Sequence, residues 1–141
     1  MIKKTGLKWL LLLTIIIFSS CRNKTIQLLS KKWDCVSAEN LVPPGQKFQN
    51  AQDSVNAIQL QNLVGALSWT FNEDLEYACA VSGRVVVRGT YELMDDEKVL
   101  ICTPSTRNNI NRYVINTLTE NDLVLKSNTN NTPIILHFKP N

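Results

Sequence analysis

The sequence predicts a mainly β fold, an eight-stranded up-and-down antiparallel barrel with one short helix between its first and second strands. Three observations carry that prediction. Apolar side chains recur at every second position in short runs, polar or glycine-bearing turns separate those runs, and one stretch between Asp53 and Val64 has helical spacing instead. A two-sheet sandwich is the alternative architecture. The chain has 141 residues, 44% of them hydrophobic, which suits one modest domain plus a targeting segment.

The targeting segment comes first. Met1 to Lys8 holds Lys3, Lys4 and Lys8 and no acid, and Trp9 to Phe18 is an apolar block interrupted only by Thr14. This is the charged-then-apolar order of an export signal, and Ser19-Ser20-Cys21 supplies the small residues of its cleavage region. At about 1.5 Å of rise per residue the block spans only about half of a ~30 Å hydrocarbon core, so a permanent transmembrane helix is not expected. Small residues immediately before Cys21 resemble the lipobox of bacterial lipoproteins, which implies a lipid-modified Cys21 as the mature N-terminus. Arg22-Asn23-Lys24-Thr25 carries no acid, unlike the sorting signals for inner-membrane retention or surface export, so the periplasmic face of an outer membrane is the expected location. The expected divisions are a signal peptide over 1–20, a lipid-anchored tether over 21–30 and a barrel over 31–141.

The barrel segments follow in order. Trp33 and Cys35 give the first strand, Lys31 to Ala38, one face, and Pro43-Pro44-Gly45 ends it. Between Asp53 and Val64, Val55, Ile58, Leu60, Leu63 and Val64 fit a short amphipathic helix, capped by Asp53 or Ser54. Asp53-Ser54-Val55 also matches a short O-glycosylation motif of exported Bacteroidota proteins. After Gly65 the period becomes two: Leu67, Trp69 and Phe71; Tyr77, Cys79 and Val81; Val85, Val87, Gly89, Tyr91 and Leu93; then Val99 to Cys102. Tyr113 and Ile115, Leu123 and Leu125, and Ile134, Leu136 and Phe138 complete the eight. Asn72-Glu73-Asp74, Ser82-Gly83 and Asp95-Asp96-Glu97 are turns.

Several of these pieces together resemble the short lipocalin-like lipoproteins of Bacteroidota, which have a calycin-like barrel. They are Lys32-Trp33 after the anchor, the Gly89 to Leu93 strand, Tyr113 to Ile115, the Leu118 to Leu125 segment and the terminal Phe138-Lys139-Pro140. The resemblance implies a lipocalin-like barrel and a small apolar or amphipathic ligand. The alternative function is a periplasmic protein-interaction module, such as an inhibitor or accessory subunit with a filled core, whose protein partner the sequence does not name.

Charge and chemistry exclude other classes. Three of the fifteen Lys/Arg precede Cys21, leaving twelve against twelve Asp/Glu, and that balance does not suit a nucleic-acid binder. A hydrolytic triad needs a histidine beside its nucleophile, and His137 alternates outward between Leu136 and Phe138. The acidic clusters lie in expected turns without a glycine-punctuated metal loop. No metal, cofactor or enzymatic activity is therefore expected. Cys35, Cys79 and Cys102 sit on strands one, three and five, so any two lie at least two strand spacings apart, about 9 to 10 Å, beyond the ~7 Å limit of a disulfide. They are expected to be buried thiols; were a bridge to form, Cys79 with Cys102 would be the pair. Candidate ligand contacts are the large inward side chains Trp33, Trp69, Phe71, Tyr91 and Tyr113, for which the competing role is plain hydrophobic core.

Overall fold

The computed structural model describes residues 23–42, 51–106, 109–127 and 132–141, apart from the side chains of 51–54, 56 and 57. Cys21 with its leader, Pro43-Pro44-Gly45 and the side chains of Asp53 and Ser54 lie outside the described residues. A short helix α1 (Lys24–Leu29) precedes β1 (Lys32–Glu39), and α2 (Ala51–Gly65) separates β1 from β2 (Leu67–Phe71). There follow β3 (Glu76–Val81), β4 (Arg84–Met94), β5 (Val99–Pro104), β6 (Asn111–Leu118), β7 (Leu123–Ser127) and β8 (Ile135–Pro140). Each strand pairs antiparallel with the next, and β8 returns to β1 to close the barrel. Closure satisfies both edges of the sheet, so no row of backbone donors and acceptors is left open.

The period-two pattern set the interior as expected. Trp33, Cys35, Trp69, Phe71, Tyr77, Cys79, Tyr91, Leu100, Cys102, Leu123, Leu125 and Phe138 are all buried and form one core with Leu29. The β3–β4 turn is a two-residue loop with Ser82 at φ 50° and Gly83 at φ 76°, the left-handed pair that matches strand twist in a tight hairpin. Gly89 is required for a different reason. A Cβ there would stand 2.1 Å from the Thr103 carbonyl oxygen and 2.8 Å from the Tyr77 ring, so only glycine lets β4 pass under that ring beside β5.

Three features depart from the sequence expectation. First, the sequence pattern announces no helix before the first strand, whereas Lys24–Leu29 form α1, which Asn23 caps by accepting from the Thr25 N–H at 2.9 Å. Its last residue, Leu29, is fully buried and closes one end of the barrel, and Trp33 Nε1 donates to the Leu29 carbonyl at 2.9 Å. Second, β-bulges flip the face of the residues beyond them. The β1–β8 register shifts between Cys35 and Ser37, and the β3–β4 register shifts at Val86, so Ser37 is exposed and Val85 is 42% exposed where strict alternation put it inside. Third, α2 packs against β1 but does not bury its apolar side. Val55, Ile58, Leu60 and Leu63 remain 44–55% exposed, and only Val64 packs against the core. The strands' own side chains already fill the interior, leaving the helix outside.

Candidate functional site

The two ends of the barrel differ. At the closed end, Leu29 and Trp33 form the floor with Phe71 and Tyr91, whose rings meet edge to face at 5.2 Å. The Tyr91 hydroxyl donates to the Asn72 carbonyl at 2.7 Å, and the Phe71 N–H donates to the Lys31 carbonyl at 3.2 Å. With the Trp33 bond to Leu29, these contacts tie the floor together by hydrogen bonds as well as by packing.

The other end is open. Along β2, Leu67, Trp69 and Phe71 descend from the mouth to the floor, and in the same way Tyr113 stands nearer the mouth than Ile115 on β6. A cavity of about 460 Å³ occupies this mouth, lined by Leu41, Val64, Leu67, Tyr113, Ile134 and Leu136 on its apolar side and by Asn111, Arg112 and Ser127 at its polar rim. These residues come from the segment after β1, the end of α2, the mouth-side ends of β2, β6, β7 and β8 and the residue before β8, so no short sequence motif contains them. Among the five side chains expected at a ligand site, Tyr113 lines this cavity. Trp69 lies beneath it, 94% buried, and its indole N–H meets no acceptor among the described residues. Trp33, Phe71 and Tyr91 belong to the floor. Trp69 links the two levels, with ring centroids 5.3 Å from Tyr113 and 5.8 Å from Phe71. The sequence reasoning missed Arg112, because a rim position depends on where strands end around the barrel and not on alternation.

The interior is chemically quiet. Cys35, Cys79 and Cys102 are free and buried. Burial pushes the Cys35 thiol up to about 11 and the Cys79 thiol up to about 12, and raises Cys102 still further with help from the neighbouring Cys79. Burial likewise lifts Tyr77 to about 12 and raises Tyr113, so these groups are neutral over the physiological range. His137 projects outward from β8, its Nε2 2.7 Å from the Glu39 carboxylate on β1. Among the described residues, no group of three or more His, Cys, Asp and Glu side chains converges to hold a metal. The clusters Glu73-Asp74 and Asp95-Asp96-Glu97 occupy turns at the closed end, away from the mouth.

The fold and cavity define a closed eight-stranded antiparallel barrel with one sealed end and an apolar, cation-rimmed mouth. Among solved structures, it is similar to the crystal structure of a DUF4847 family protein from Bacteroides vulgatus, with a TM-score of 0.52 and 12% identity over 81% of this chain and 94% of that one. At that identity the likeness establishes the fold alone. No protein-family model matches the chain, and no curated protein is significantly similar to it in sequence.

Proposed function

We propose that this is a lipoprotein anchored through Cys21 to the periplasmic face of an outer membrane, and that its barrel mouth binds a small amphipathic ligand without transforming it. The mouth cavity supports the binding reading: apolar walls from β2, β6, β8, α2 and the segment after β1, with Arg112 and Asn111 at the rim to meet a polar head. Its size suits a small molecule rather than a long acyl chain, because the floor formed by Leu29, Trp33, Phe71 and Phe138 blocks deeper entry. The export signal and the small residues before Cys21 support the anchor.

A second reading rests on a separate observation. The exposed Val55, Ile58, Leu60 and Leu63 of α2 are an apolar surface of the kind that protein partners cover. Titration with 1-anilinonaphthalene-8-sulfonate, an anionic amphiphile, tells the two apart. The mouth reading expects saturable one-to-one binding that weakens about tenfold in Arg112→Ala, the equivalent of one lost charge-assisted contact. It expects no change in Ile58→Ser with Leu60→Ser. Binding abolished by the α2 substitutions and unaffected at Arg112 would overturn the mouth reading in favour of an interaction surface.

A further inference from the structure

The chain joins the barrel at its sealed end, within two residues of the candidate anchor. The Asn23 side-chain amide and the Thr25 hydroxyl each donate to the Glu97 carboxylate, one to each oxygen, which pins the start of α1 to the β4–β5 turn. Glu97 follows Asp95 and Asp96 in a turn where all three residues have positive φ, so its carboxylate is presented from a tightly wound left-handed loop. Two residues of extended chain reach at most about 7 Å. The mouth lies at the opposite end, about 20 Å away for strands of this length tilted as eight-stranded barrels require.

We infer that the sealed end of the barrel is a membrane-facing surface, resting on phospholipid headgroups through its turns, and that the mouth opens away from the bilayer into the aqueous space. The inference depends on the reading of Cys21 as lipidated. Its decisive term is reach. Turning the mouth toward the membrane would lift Asn23 about 20 Å off the surface, nearly three times what the two residue steps from Cys21 can span.

Charge opposes that geometry on an anionic membrane and does not overcome it. Glu73, Asp74, Asp95, Asp96, Glu97, Glu120 and Asp122 lie in the turns of the sealed end, interspersed with Lys24, Lys31, Lys98 and Lys139, while Arg84 and Arg112 lie at the mouth. An anionic surface would therefore draw the mouth downward, but its potential decays over a Debye length of about 8 Å and is weak at the height of the mouth. The charged turns cannot enter hydrocarbon, so contact is with hydrated headgroups and does not penetrate. A ligand then enters from the aqueous side and not laterally from the bilayer.

Lipidated protein reconstituted in 3:1 phosphatidylethanolamine–phosphatidylglycerol vesicles that carry a headgroup-nitroxide lipid tests the orientation. Glu120→Cys at the sealed end and Thr106→Cys beside the mouth are labelled separately with a fluorescent maleimide, the native thiols being buried. The expected result is that the Glu120→Cys label loses most of its emission and the Thr106→Cys label keeps it. Inserting about fifteen Gly/Ser residues after Cys21, with a reach of about 20 Å, should restore emission at Glu120→Cys. Equal quenching at both sites, stronger quenching at Thr106→Cys, or quenching unchanged by the insertion would overturn the orientation while leaving lipidation intact. Protein that stays off the vesicles with an unmodified Cys21 would overturn the anchor and the orientation together.

Discussion

Trp69 and Tyr113 meet edge to face, their ring centroids 5.3 Å apart and their planes at 79°. Tyr113 walls the mouth and Trp69 is buried beneath it, so this pair is where occupancy of the cavity is felt by the core. From Cys21 onward the sequence has one other tryptophan, Trp33, held at the floor by its bond to Leu29. An amphiphile in the mouth should therefore change the emission of Trp69 and leave that of Trp33 unaltered. Fluorescence titration of the wild type and of Trp69→Phe checks this. The change should vanish in Trp69→Phe while calorimetry still detects binding; a change that persists would place the ligand against the floor.

Leu29 seals the barrel from outside the strand sequence, and its side chain is completely buried. Leu29→Ala should cost about 2–5 kcal/mol of stability, the usual range for such a cavity in a core. Chemical denaturation provides the value. Probe binding at the mouth, at the other end of the barrel, should be unchanged at temperatures where the variant is folded.

How legible all this is from sequence depends on the scale of the signal. Trp33, Trp69, Phe71, Tyr91 and Phe138 were assigned inward correctly because strand alternation is a local rule, and the interior of a barrel follows directly from it. The bulges beside Val36 and Val86 were invisible, since an extra residue leaves composition and period nearly intact while inverting the face of Ser37 and Val85. Helix α1 is six residues long, too short to show a period, and its first turn is tied to Glu97 far along the chain. In α2 the apolar spacing correctly announced a helix but not where its apolar side would face, because that depends on how much interior the strands leave. Arg112 was missed for the same reason: it reaches the rim only through the three-dimensional meeting of strand ends.

The interior thiols give the protein a one-sided pH response. Burial raises Cys79 from 9.0 to about 12 and Cys35 from 9.0 to about 11, so above pH 9 the unfolded chain loses protons that the folded chain keeps. Fewer protons on the unfolded state mean that stability falls as pH rises, by about 1.4 kcal/mol per pH unit for each such group between its unfolded and folded values. Below pH 9 the contribution is complete and flat. Denaturation midpoints measured from pH 7 to 11 should be constant up to about 9 and then fall, and Cys79→Ala should lessen the slope. Titration with a thiol reagent at pH 8 should find Cys35, Cys79 and Cys102 unreactive until denaturant is added.

The central claim is that the mouth holds a small amphipathic molecule. Its most direct test is the native mass of protein isolated from its own host, compared with the denatured mass of the same sample. A bound mouth predicts a discrete excess mass in the native state, lost on denaturation and absent from an Arg112→Ala, Tyr113→Ala variant that still folds. A native mass equal to the denatured mass, in a protein whose mouth also fails to bind the anionic probe, would contradict the claim and leave the exposed face of α2 as the working surface.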